Sequence, residues 1–228
     1  MGGRQSGERR QSAGLLRPLD LTAWPRRQIY QHFRHNPCTF NVTVAVDVTA
    51  FKAGLKEPGL PFVPALIYAL CAVVNRLPAL RMGLTDDGQP GVWDSVLPLY
   101  TVFHSGTETF SALWTELGGD FDEFLKNHRA DAQEYGPSSD YLPKAGRPQG
   151  ALNISVAPWL SFRAFELSIA DGADDLLPIF TVGRYEESGG RLRMPVAVRA
   201  NHAACDGFHV AQFYQELQRE LDAFMPPP

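Results

Sequence analysis

Between Leu192 and Ala200 every second residue is apolar: Leu192, Met194, Val196, Val198 and Ala200. The alternate positions hold Arg193, Pro195, Ala197, Arg199 and Asn201. A period of two marks a strand with one face turned to a core. One step further along that face lies His202. Asp206-Gly207 then supplies a helix N-cap and a turn. Val210, Phe213, Leu217, Leu221 and Phe224 follow at helical spacing on one face. Whatever the chain folds into must therefore turn a core strand directly into an amphipathic helix. The corner carries a histidine at the strand end and a carboxylate at the helix start. An imidazole titrates near neutrality and suits a general base. A lone histidine on an apolar face is also a common satisfied core residue, and spacing alone does not separate the two.

The rest of the chain sets limits on partners. With 228 residues, 44% of them hydrophobic, it has material for one large domain. The 21 basic residues against 25 acidic ones leave no basic footprint, which argues against a nucleic-acid partner. Cys38, Cys71 and Cys205 show neither zinc spacing nor a disulfide framework, so no metal and a reducing cytoplasm are expected. The longest apolar run, residues 62–74, contains Pro64 and is shorter than a bilayer span. The Arg-, Gln- and Ser-rich start has no apolar leader.

Taken in order, residues 1–17 read as a flexible N-terminal extension and residues 18–228 as one domain. Pro25 opens a helix to about His35, ended by Asn36-Pro37. Residues 40–48 alternate strictly as a strand. A short helix runs from Thr49 to Lys56, and a buried one, opened by Pro64, covers residues 65–77. Residues 80–85 and 91–95 form a hairpin around Asp86-Asp87-Gly88. Residues 99–104 are a strand, and residues 111–135 a long helix interrupted at Gly118-Gly119. Residues 152–156, 165–170 and 179–186 read as strands. The fold class is α/β of the α+β type: a single domain with a large mixed, mostly antiparallel sheet covered by helices.

The string His202-Ala203-Ala204-Cys205-Asp206-Gly207, continued by Phe208-His209-Val210, resembles the signature of the chloramphenicol acetyltransferase family, type A. The short His-x-x-x-Asp-Gly motif is shared with the acyltransferase cores of 2-oxoacid dehydrogenase complexes. Further strings resemble the same family in the same order: Phe33-Arg34-His35, Leu80-Arg81-Met82, Val92-Trp93-Asp94-Ser95-Val96, Thr101-Val102-Phe103-His104, Thr107-Glu108-Thr109-Phe110-Ser111, Leu152-Asn153-Ile154-Ser155 and Pro158-Trp159. The resemblance covers about residues 20–220.

It implies a CoA-dependent acyltransferase fold and a homotrimer with active sites at subunit interfaces. Acetyl-CoA is the implied co-substrate, with no permanently bound cofactor, and the hydroxyl of chloramphenicol or a similar small alcohol is the acceptor. His202 matches the catalytic base, Ser155 the oxyanion donor and Thr181 a residue holding an ordered water. Asp206 matches an aspartate paired with an arginine, here Arg26. Phe33, Cys38, Thr101, Phe110, Leu142, Phe165, Leu167 and Ile169 match acceptor-pocket positions. Tyr185, Trp159 and Arg184 match the coenzyme channel. Two departures stand out: Asn201 replaces the first member of a His-His doublet, and Phe33 stands where the family often has tyrosine. The same acyl transfer to another alcohol, or a catalytically silent ligand-binding trimer, are the alternative readings.

Overall fold

Along the chain the elements are β1 (Leu16–Pro18), α1 (Arg27–His35), β2 (Thr39–Asp47), α2 (Thr49–Lys56), α3 (Phe62–Arg76), β3 (Met82–Leu84), β4 (Pro90–Trp93), β5 (Leu97–His104), β6 (Thr109–Trp114), α4 (Phe121–Tyr135), β7 (Ala151–Ala157), β8 (Ile179–Gly183), β9 (Glu186–Ser188), β10 (Arg191–Asn201) and α5 (Gly207–Ala223). They are taken from a computed structural model that describes residues 14–169 and 174–224.

The strongest alternation in the sequence forms the strongest pairing. β2 runs antiparallel to β10 from Thr39 opposite Asn201 to Asp47 opposite Arg193. From this edge a seven-stranded sheet extends in the order β2-β10-β8-β7-β5-β6, with β9 added beside β10. β5–β7 and β7–β8 are parallel and the other pairs antiparallel, so the sheet is mixed. A second sheet, β1-β4-β3, has three strands.

One face of the large sheet is dry. Val196, Val198, Phe180, Ile154 and Tyr100 pack against α3 and α5, whose Leu66, Leu70, Phe213 and Leu217 are fully buried. Nine of the fifteen residues of α3 are buried, because the helix lies between the sheet, α4 and α5. A smaller cluster, Tyr30, Met82, Leu176, Ala203 and Ala204, joins α1 and the three-stranded sheet to the turn after β10.

The structure departs from the sequence reading at five points. The expected extension ends earlier: Leu16 and Pro18 pair with Trp93 and Gly91, while residues 1–13 lie outside the described residues. The expected helix over residues 111–135 is a strand followed by a helix. Ser111, Ala112, Leu113 and Trp114 are buried on both faces of the sheet, which hides their alternation, and pairing with β5 decides their conformation. Gly118, at φ +68°, turns the chain, and Asp120 caps α4 by accepting from Glu123 N–H at 2.9 Å.

Residues 165–169 form no strand, and Ala170 is outside the described residues. Phe165 and Leu167 instead donate their N–H groups to side chains of β2, Thr43 Oγ1 at 3.3 Å and Asn41 Oδ1 at 3.5 Å. This spacing keeps a period of two without a ladder. The expected strand over residues 179–186 splits into β8 and β9 at Arg184-Tyr185. Finally, β10 is buried on both faces from Met194 to Asn201.

Candidate active site

β10 ends at Asn201, so His202 leaves the strand's parity and enters a turn. The turn is held from several sides. His202 N–H donates to Cys38 O at 2.9 Å, and Arg26 Nη2–H donates to His202 O at 3.2 Å. Asn201 Oδ1 accepts from Ala203 N–H at 3.0 Å, and its Nδ2–H donates to Asp175 O at 3.1 Å. The residue in place of the doublet's first histidine thus supports the turn through a neutral amide.

The imidazole of His202 is stacked on Phe33, with ring centroids 4.0 Å apart and planes at 8°, and Phe40 approaches it at 5.2 Å. Its Nδ1 is buried and has no hydrogen-bond partner among the described residues, while the residue as a whole is half-buried. Phe33 therefore meets the histidine as a ring surface, a contact that needs no hydroxyl.

Beneath the turn, Asp206 begins α5. Its carboxylate accepts from Phe208 N–H at 3.1 Å and forms an ion pair with Arg26 Nη1. His209 Nδ1 lies 2.9 Å from Asp206 Oδ1 and 3.2 Å from the Asp206 amide nitrogen, completing a capping box. Burial pushes the Asp206 carboxyl up, but His209 and Arg26 outweigh it and hold the group below its ordinary value. A carboxylate occupied by an arginine and a helix end is not aimed at the His202 ring; Asp206 reaches His202 through Arg26 and the backbone. The neighbouring Cys205 thiol is pushed up to about 12 by burial, which keeps it protonated and inert. The sequence reading names His209 only within the signature string and gives it no role, although its place three residues after the cap is the signal of a capping box.

Ser155 and Thr181 lie elsewhere. They are register partners on β7 and β8, on the sheet face opposite the helices. Thr181 in turn faces Ala197 on β10, and Ala197 faces Thr43 on β2. Thr101 on β5 joins the row, its Oγ1 accepting from Val156 N–H at 3.4 Å. Hydroxyls from Thr101, Ser155, Thr181 and Thr43 thus cross the sheet in one band. His202 is five residues beyond Ala197, or about 16 Å along the strand, and Ser155 is two strands away, about another 10 Å. Within one chain the imidazole and the serine do not meet.

The remaining predicted residues sort into four groups, with Trp159 apart from them. Phe33 and Cys38 adjoin His202. Phe165 and Leu167 run along β2, with Ile169 exposed beyond them. Phe110 meets the ring of Tyr141 at 6.0 Å, next to Leu142, and both Phe110 and Leu142 are exposed. Tyr185 and Arg184 line a cavity of about 430 Å³ with Lys52, Phe62, Pro158 and Val182; Lys52 Nζ stands 4.5 Å over the Tyr185 ring. Trp159 does not line that cavity; its ring lies 4.8 Å from Phe103. Among the described residues no helix is long and apolar enough to cross a membrane.

The dihydrolipoamide acetyltransferase of Azotobacter vinelandii has a similar fold, with a TM-score of 0.62 at 21% identity over 86% of each chain. The architecture is therefore one used by acyltransferases. A solved chloramphenicol acetyltransferase is more similar, with a TM-score of 0.83 at 23% identity over 91% of this chain and all of that one. In sequence, the chloramphenicol acetyltransferase of Streptomyces acrimycini is 45% identical over 205 residues, 90% of this chain and 93% of that protein. The chloramphenicol acetyltransferase family model matches residues 16–218. The chain belongs to the chloramphenicol acetyltransferase family, and with it to the acyltransferases.

Proposed function

We propose that the chain transfers the acetyl group of acetyl-CoA to a hydroxyl of chloramphenicol, with His202 as general base, in a homotrimer whose active sites lie between subunits. The observation that carries this reading is the His202 turn. A half-exposed imidazole is stacked on Phe33, and its backbone is tied at both N–H and C=O. A base held this rigidly keeps its geometry as charge develops.

In the proposed step the imidazole takes the hydroxyl proton as the alcohol oxygen attacks the thioester carbonyl carbon. The resulting oxyanion needs a donor, which Ser155 Oγ–H supplies, while Thr181 holds a water nearby. Collapse breaks the C–S bond, and the CoA thiolate recovers the proton from the imidazolium. Arg26 and Asp206 position the turn without exchanging a proton. The separation of His202 from Ser155 supports an interface site, since a second copy would have to bring its own hydroxyl row to the imidazole. Phe33, Cys38, Thr101, Phe110, Leu142, Phe165, Leu167 and Ile169 would supply an apolar acceptor site. The cavity at Arg184, Tyr185 and Lys52 offers two cations and an aromatic wall to the coenzyme; Trp159 would lie outside it. Antibiotic inactivation and a cytoplasmic location belong to the same reading.

The test is thiol release from acetyl-CoA with chloramphenicol and with a panel of other small alcohols. Release with chloramphenicol is expected, and His202→Ala should lower turnover about 10²–10⁴-fold without changing the assembly. Release only with another alcohol would move the acceptor; a normal rate in His202→Ala would remove the histidine from the reaction.

A further inference from the structure

Arg199 is 4% exposed, and no other charged residue among the described ones is as deeply buried. Among the described residues its Nε has no hydrogen-bond partner and no carboxylate pairs with it. The buried Ser111, Thr115 and Asn201 are all hydrogen-bonded within the chain. Among the described residues Arg26 pairs with Asp206 and Lys144 with Asp131 at 2.7 Å, while the less deeply buried Arg81 donates from Nη1 to the carbonyls of Trp93 and Asp94 at 2.6 Å each. A guanidinium stays charged at any physiological pH and cannot relieve its burial by losing a proton. Removed from water, it needs a counter-ion.

Its position narrows the source. Arg199 faces Asn41 on β2 and Ile179 on β8, two residues along β10 from Ala197, the partner of Thr181. It therefore lies on the face that carries the hydroxyl row, between that row and the His202 turn. The same face leaves Phe103 and Phe110, register partners on β5 and β6, 48% and 51% exposed. A net charge of −4 gives the chain an excess of acids to offer another copy of itself.

The geometry points to a carboxylate of a second copy of this chain as the counter-ion of Arg199, which makes Arg199 a buried charged contact of the subunit interface. The inference rests on the homotrimer reading and adds the charge pair to it. No such contact follows from the catalytic residues, since none of them needs a cation at this position.

Sedimentation of the full chain over a concentration series measures association, and circular dichroism on the same samples measures folding. Wild type should associate. Arg199→Gln, folded but without the charge, should associate at least about 30-fold more weakly, the lower end for truncating a buried charge pair. Arg199→Lys, which keeps the charge but loses the planar fork, should lie between them. It carries the test if the glutamine variant does not fold. A Lys substitution at one exposed acid should restore association to Arg199→Glu. A monomeric wild type overturns the trimer reading and the inference together. An oligomeric wild type with Arg199→Gln equally associated overturns the inference alone.

Discussion

The two faces of the large sheet are built on different rules. On the helix side, β10 contributes Met194, Val196, Val198 and Ala200, each matched by apolar side chains of α3 and α5. On the other side the same strand contributes Ala197, Arg199 and Asn201, beside Thr181 and Ser155. The first face is complete within one chain. The second holds polar groups that the chain only partly satisfies and aromatic rings that it leaves exposed. A face that only stabilises can be closed by the chain's own residues, whereas a face that must receive a ligand or a partner keeps unspent hydrogen-bonding capacity.

Substitutions on the two faces should therefore fail differently. The largest stability effect belongs to the helix side. Phe213 is fully buried, with its ring 4.9 Å from Phe180, so Phe213→Ala should cost about 3–5 kcal/mol in denaturant unfolding. If that loss stays below about 1 kcal/mol, the dry face is not the main source of stability.

On the opposite face, Ser155→Ala should slow acetyl transfer by about 10²–10³-fold while changing stability by less than about 0.5 kcal/mol. A melting loss like that of Phe213→Ala, with turnover intact, would make the hydroxyl row ordinary core and erase the contrast. Asp206→Asn sits where the faces meet. Asparagine still caps α5 but loses the Arg26 ion pair, and up to about 3 kcal/mol of stability should go with it, together with part of the rate. Loss of rate with unchanged unfolding would give Asp206 a direct chemical part.

The smallest effect concerns the edge. Hydrogen bonds from the Thr49 hydroxyl and N–H, with Arg191 and Arg193 adding to them against desolvation, hold the Asp47 carboxyl at about 2. The value is below the unfolded range, so its contribution is present above about pH 4 and is lost as pH falls through about 2. Asp47→Asn should flatten the decline in melting temperature across that window. An unchanged acid limb would mean that other carboxylates govern it.

Much of this was legible in the residues. The alternation of residues 40–48 and 192–200 named the two strands that pair most extensively, and Asp206 announced α5. The reading failed where burial on both faces removed the period, as at residues 111–114, and where a period of two marked hydrogen bonds to β2 side chains rather than a strand, as at Phe165 and Leu167. The site was legible in its parts. His202, Arg26 and Asp206 were identified through a resemblance, and the structure joins them through the carbonyl of His202. The long distance from His202 to Ser155 appears only when the register of β7, β8 and β10 is known.

By itself, the sequence determined which segments alternate, where the last helix starts and which residue types gather at the corner, because these depend on neighbours a few positions apart. Only the tertiary structure decided that Arg199 is buried without a counter-ion among the described residues, that His209 closes on Asp206, and that the hydroxyls of four strands form one row. Those facts depend on which strands lie side by side and in what register, and pairing between residues far apart in the chain is set by the packing of the whole sheet.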